Sequence, residues 1–225
     1  MEIRDAVSQV SQFKGRSLAA TVAELESRLS GAEASGISPI CRAFHVDLDL
    51  LAAAAAVKRA SAQIDVVIHT LGIVYSLPHI LREGEVVEGV SLGAGSAGSD
   101  FDLETNVRIA EFKFINWQGG SEAVRKKTLF QDYFKLAREE TPKDKYLYLL
   151  NVEIPVRFLS GTSNTLRLLD RNKRLRDDFL SRYEQAYRTV GEFYAAHKEE
   201  IQLVNLKELV PELDVLLEGS NTSSM

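Results

Sequence analysis

DFDLETNVRIAEFKFINW (residues 100–117) alternates with period two along both of its arms. In the first arm Phe101 and Leu103 fall on one side, and Asp100, Asp102 and Glu104 on the other. In the second arm Ala110, Phe112 and Phe114 share a side, opposite Ile109, Glu111 and Lys113. Thr105-Asn106-Val107 reads as the tight turn of a β-hairpin, though not of the favoured Asn-Gly type. With the turn there, Asp102 stands opposite Glu111, and like charges in that position repel. Carboxylates are brought together where a cation or a shared proton compensates them. A hard divalent cation such as Mg²⁺ takes oxygen ligands, commonly one or two carboxylates with substrate phosphate and water. Lys113, two residues beyond Glu111, projects to the same side of the strand. There it can position an attacking water or stabilise charge on a phosphoryl transition state.

Outward from the hairpin the elements alternate in type. QIDVVIHTLGIVYSLPHIL (63–81) is apolar on more than one face and reads as a buried helix ending near Pro78. EVVEGVSLG (85–93) suits a strand, and GAGSAGS (93–99) a loop of small residues. After the hairpin, SEAVRKKTLFQDYFKLAREE (121–140) reads as a helix, with Ser121 as N-cap and Phe130, Tyr133, Phe134 and Ala137 as its apolar stripe. KYLYLLNVEIPVRFL (145–159) reads as one or two strands interrupted at Pro155, and residues 164–199 as one long amphipathic helix. Upstream, SLAATVAELESRL (17–29) carries a helical stripe with Ser17 as cap. SGAEASGIS (30–38) is a connector, and a second helix runs from Asp47 or Asp49 through the alanine run. These elements predict an α/β protein with an antiparallel component in its sheet. Its expected parts are an N-terminal helical extension (1–62), an α/β core (63–160), a C-terminal helical extension (161–218) and a flexible tail (219–225).

Asp100-Phe101-Asp102 followed by Ala110-Glu111-Phe112-Lys113 resembles the PD-(D/E)XK nuclease superfamily, the restriction-endonuclease-like fold. The resemblance covers about 90 of the 225 residues and implies a mixed sheet with a core of helix, three strands, helix and strand, flanked here by added N- and C-terminal helices. It further implies Mg²⁺-dependent phosphodiester hydrolysis, with Mn²⁺ as a substitute. Glu111 and Lys113 match the motif by position. Asp100 follows Ser99 where the family writes Pro-Asp, whereas Asp102 sits better opposite Glu111 and is preferred. The metal set implied is thus Asp102 and Glu111, with Asp100 and Glu88 as further acids, and Lys113 would assist the water. Lys127 and Gln131, four apart on one helix face, and Arg125 would contact phosphate. The expected function is a nuclease acting on DNA. The competing expectation is a non-catalytic α/β scaffold or partner-binding module with a degenerate nuclease-like core.

Composition narrows the rest. A net charge of −5 and a single cysteine, Cys41, give no support to bulk attraction for polyanions or membranes, to a disulfide framework, or to a Cys-rich metal site. No uninterrupted apolar run of about 18 residues and no apolar leader are seen, so a cytoplasmic protein with no membrane association is expected. The histidines (His45, His69, His79, His197) lack metal-ligand spacing and read as structural or surface residues. Trp117 reads as a core or rim residue. Between Arg167 and Arg188 seven basic residues face four acids. That excess of three reads as a solvated or dimer-facing surface, with a DNA-backbone stripe as the alternative, and a homodimer is allowed.

Overall fold

A computed structural model describes residues 1–93, 100–114, 117, 122–184 and 186–216, the side chain of Glu122 excepted. The chain divides into two compact units, Met1–Asp65 and Val66–Met225. The first holds helices α1 (Ile3–Lys14), α2 (Leu18–Leu29), α3 (Ala34–Ala43) and α4 (Leu48–Ala60). Ser17 and Asp47 cap α2 and α4 by accepting the N–H groups of Ala20 and Leu50, satisfying donors that a helix start leaves unpaired. Of residues 30–38, expected as a connector, 30–33 join α2 to α3 and 34–38 belong to α3.

Helix α5 (Ile64–Ile80) leads into the second unit, followed by β1 (Val87–Val90), β2 (Leu103–Thr105), β3 (Arg108–Lys113), α6 (Glu122–Arg138) and β4 (Asp144–Leu149). Then come α7 (Glu153–Leu159), α8 (Thr165–Leu169), α9 (Lys173–Tyr183), α10 (Val190–His197), β5 (Ile201–Asn205), α11 (Leu206–Leu209) and a 3₁₀ segment, Pro211–Leu216. The five strands form one mixed sheet in the order β1-β2-β3-β4-β5. β1, β2 and β3 are antiparallel neighbours, and β3, β4 and β5 are parallel. The chain is therefore mixed α/β, and residues 64–149 run helix, three strands, helix, strand.

Central strand β3 is buried on both faces, which explains its run of apolar residues around one acid. Ala110, Phe112 and Phe114 meet Ile73 and Ile80 of α5 together with Tyr146, Tyr148 and Leu206. Ile109 joins Phe130, Tyr133 and Phe134 of α6, with Phe179 and Phe193, in the opposite layer. α5 approaches the sheet closely at Gly72, where an added Cβ would lie 2.6 Å from the Phe114 ring. At the turn end of the hairpin, Arg108 and Glu85 form a bidentate ion pair with both contacts at 2.5 Å. Thr105 donates to Glu85 at 2.7 Å, Arg108 donates to Tyr148 Oη at 2.7 Å, and the guanidinium lies over the Tyr146 ring. Burial opposes both charges. These contacts outweigh it, holding Glu85 below and Arg108 above their ordinary ranges.

Several expectations need correction. α5 buries only the face carrying Gly72, Ile73, Ser76 and Ile80, while Leu71, Val74 and Tyr75 are exposed. Phe101 packs with Ile109 rather than with Leu103, because the chain bends before β2 begins. After Leu149 the chain turns into α7, with Pro155 in its first turns, where proline costs no helical hydrogen bond. The single helix expected over residues 164–199 is three, α8 to α10. Asn172 and Thr189 each cap a new start by accepting a backbone N–H. β5 was not foreseen. Leu48–Ile80 contains an eighteen-residue window of mean hydropathy 1.3, which by length and composition could cross a bilayer; 17% of that window is buried. The loop at 94–99, the glycines at 119–120, Ser121 and the tail at 219–225 lie outside the described residues.

Candidate active site

The hairpin register pairs Leu103 with Ala110 and Glu104 with Ile109. One step further along that register sets Asp102 beside Glu111, as the sequence implies. The two acids line one cavity of about 300 Å³ with Ser91, Asp100, Lys135, Arg138, Asn172 and Arg174. Its lining mixes four acids, Glu139 among them, with three bases.

Each acid has a distinct environment. Asp102 Oδ2 accepts the Phe112 N–H at 2.8 Å, and Oδ1 lies 3.2 Å from His69 Nε2. Burial pushes its carboxyl up, but the His69 bond, the Lys113 charge and the Phe112 N–H outweigh it and hold Asp102 below the usual carboxylate range. Glu111 is 3% exposed. Among the described residues its side chain is paired with Lys135 Nζ at 3.3 Å. Burial, with the charges of Asp132 and Asp102, raises its carboxyl well above the usual range despite Lys135 and Lys113.

Lys113 turns toward α6, where its Nζ meets Asp132 at 2.5 Å. Asp132 also pairs with Lys135 at 3.4 Å. A chain of alternating charge thus runs Glu111–Lys135–Asp132–Lys113. Burial lowers the proton affinity of both amines, yet the neighbouring carboxylates prevail and hold each above its ordinary value. Lys113 therefore stays a cation. It lines a separate small cavity of about 20 Å³ with Trp117, Arg125, Asn151 and Pro155, room for about one water.

Asp102, Glu111 and Lys113 are thus electrostatically coupled, with Asp100 at the mouth of the cavity. Glu88 is not part of this group. It is exposed and bonded to Lys143 Nζ at 2.7 Å, which also holds Glu104 at 2.9 Å. Lys127 is committed to Asp170 at 2.8 Å, and Gln131 donates to the Leu168 carbonyl at 3.3 Å. Both fasten α6 to α8 rather than facing the acids. Arg125 sits on the Lys113 side. Trp117 is a core residue, edge-on to Phe158. His69, Asp132 and Lys135 were missed. Lys135 follows Gln131 by four residues and Asp132 by three, so helical spacing was the signal that could have placed it on the sheet-facing side.

Among the described residues no group of three or more His, Cys, Asp or Glu side chains forms a metal-binding cluster. The oxygen donors brought together are the two carboxylates of Asp102 and Glu111. No family model matches the chain, and no curated protein or solved structure matches it either.

Proposed function

We propose that the Asp102–Glu111 cavity is the active site of a Mg²⁺-dependent nuclease that hydrolyses phosphodiester bonds, with DNA as substrate, on a restriction-endonuclease-like core. The observation that carries this reading is Glu111. A nearly inaccessible carboxyl is crowded by two other acids and only partly compensated by lysines, which is the electrostatic condition a cation relieves. Two carboxylates meet the modest protein contribution that Mg²⁺ takes when phosphate and water complete its shell, and Mn²⁺ accepts the same donors. Asp102 and Glu111 would hold the ion, with Asp100 in the wall of the same cavity. When bound, it supplies neutralisation of phosphate charge and an acidified water.

The chain's own groups set the remaining terms. The Phe112 N–H and His69 keep Asp102 ionised and fixed in orientation. Lys113, held cationic by Asp132, lines the neighbouring cavity rather than that of the two acids, so it acts on the site through its charge and is not a proton acceptor. The test is cleavage of supercoiled plasmid and end-labelled duplex by wild type, Glu111→Gln and Lys113→Met, in Mg²⁺, Mn²⁺ or EDTA, with calorimetric Mg²⁺ titration. Cleavage by the wild type alone, and only with metal, supports the reading; equal cleavage by all three, or none by any, rejects it. A second reading, the non-catalytic partner-binding module, is favoured by the ion pairs Lys135–Glu111 and Lys113–Asp132, which already compensate part of the acidic charge. It expects no Mg²⁺ heat from the wild type.

A further inference from the structure

Around the break at Asn172 basic residues are dense in the sequence. Arg167 of α8, Arg171 in the connection, and Lys173, Arg174 and Arg176 of α9 are all exposed. Asp170 lies within the same ten residues and is held by Lys127 at 2.8 Å, and Asp177 follows next. Among the described residues none of the five cations carries an ion pair of its own. Elsewhere in this unit Arg82, Arg138, Lys143 and Arg182 are each held by a carboxylate. The corner is also continuous with the acidic cavity, since Asn172, Arg174 and Leu175 form part of its wall.

Concentrated unpaired positive charge on a protein of net charge −5 needs an anionic partner to be useful. Five exposed cations within ten residues carry more positive charge than one phosphate needs. That arrangement suits a chain of phosphates. A free mononucleotide would engage the cavity and one or two cations only.

We propose that the α8–α9 corner, Arg167, Arg171, Lys173, Arg174 and Arg176, is the surface on which the phosphate backbone of a nucleic-acid strand docks beside the Asp102–Glu111 cavity, making the substrate a polymer held over several phosphates. The choice of nucleic acid over other polyanions rests on the phosphodiesterase reading of that cavity. Binding itself does not require it. Each phosphate neutralised releases counterion, so the slope of log affinity against log salt counts the contacts, at about 0.9 per contact on duplex.

The experiment is fluorescence anisotropy of a labelled 20-base-pair duplex with the full chain in EDTA, across a salt series. Arg171→Ala/Lys173→Ala/Arg174→Ala/Arg176→Ala is compared with Lys14→Ala/Arg16→Ala/Lys58→Ala/Arg59→Ala, which removes the same charge from the first unit. The corner variant is expected to lose about 3 to 4 from the salt slope, while the control stays near wild type. Arg171→Glu/Arg176→Glu repeats the test with two substitutions, and thermal melts establish that each variant is folded. Equal losses in corner and control variants, an unchanged slope in the corner variant, or no duplex binding by wild type overturns the proposal. So does binding to anionic phosphatidylserine vesicles but not to duplex. Because EDTA removes cleavage from the readout, a failure of the nuclease reading leaves duplex binding intact, and a failure here leaves cleavage of short diesters intact.

Discussion

Replacing Glu111 by Gln should stabilise the metal-free protein at alkaline pH while abolishing its activity. The Glu111 carboxyl is 3% exposed, and burial, Asp132 and Asp102 together raise its proton affinity above the ordinary value of 4.5. The folded state therefore binds this proton more tightly than the unfolded state does. Its contribution to stability is fully present below the unfolded value and is lost as pH rises through the folded one. Glutamine is nearly the same shape, carries no charge and still offers an oxygen to Lys135, which also keeps Asp132 at 3.4 Å. Removing strain of this kind at a functional site yields about 1 to 2 kcal/mol. At about 2–4 °C per kcal/mol for a unit of this size, Tm should rise by about 2–8 °C at pH 8. As pH falls the difference should shrink, because protonation of the wild-type carboxyl removes the same charge that the substitution removes. Differential scanning calorimetry in EDTA at pH 8 and at lower pH reads the effect. Mg²⁺ should reverse the order, since its ligands must be deprotonated and only the wild type gains from it. A Glu111→Gln protein with a lower Tm than wild type at pH 8, or a difference that does not change with pH, refutes the reasoning.

Other substitutions separate the site from its frame. Asp102→Asn keeps an oxygen for the Phe112 N–H but loses the charge, so cleavage should fall by at least about 100-fold with little change in the thermal melt. Lys113→Met should lower kcat by about 10²–10³ with a nearly unchanged KM, because the ammonium acts on charge that develops in the transition state; steady-state kinetics on a short duplex measures both. Glu85→Ala strands the buried Arg108 charge far from the cavity and should cost about 3–5 kcal/mol, read by urea denaturation. Gly72→Ala drives a methyl into the Phe114 ring and should cost about 1–3 kcal/mol in the same assay.

What the sequence disclosed follows from how locally each feature is encoded. The hairpin is written in adjacent residues: period-two alternation from Leu103 to Lys113 fixes which side chains share a face, and a two-residue turn fixes the register that sets Asp102 beside Glu111. The apolar stripe of α6 (Phe130, Tyr133, Phe134, Ala137) is likewise local, and all four residues are buried. The partners of the acids are not local. His69 reaches Asp102 across 33 residues and Lys135 reaches Glu111 across 24, through the packing of two helices on opposite faces of one sheet. No spacing rule joins them. The break at Asn172 was hidden for a different reason: the apolar period runs on through α8 and α9, while the side-chain cap that ends one helix and starts the next is a single polar residue. β5 escaped notice because Ile201–Asn205 is short and directly follows a helix.

The distribution of partners also explains why one carboxyl, and not another, carries the strain. Three carboxylates, Asp102, Glu111 and Asp132, face two ammonium groups, Lys113 and Lys135, while His69 lies within hydrogen-bond distance of Asp102. Asp132 takes both lysines, at 2.5 and 3.4 Å. Asp102 takes the histidine and a backbone N–H, at 3.2 and 2.8 Å. Glu111, the most buried of the three, is left with one shared lysine at 3.3 Å. Positive charge is therefore short by about one unit, and the shortfall falls on the acid that strand β3 prevents from reaching solvent. A proton can make it good at low pH. A divalent cation held by Glu111 and Asp102, as proposed, would supply that charge at neutral pH. Were the site purely structural, the same core would be better served by glutamine at position 111, which is why the pH dependence of that one substitution discriminates so sharply between a scaffold and an enzyme.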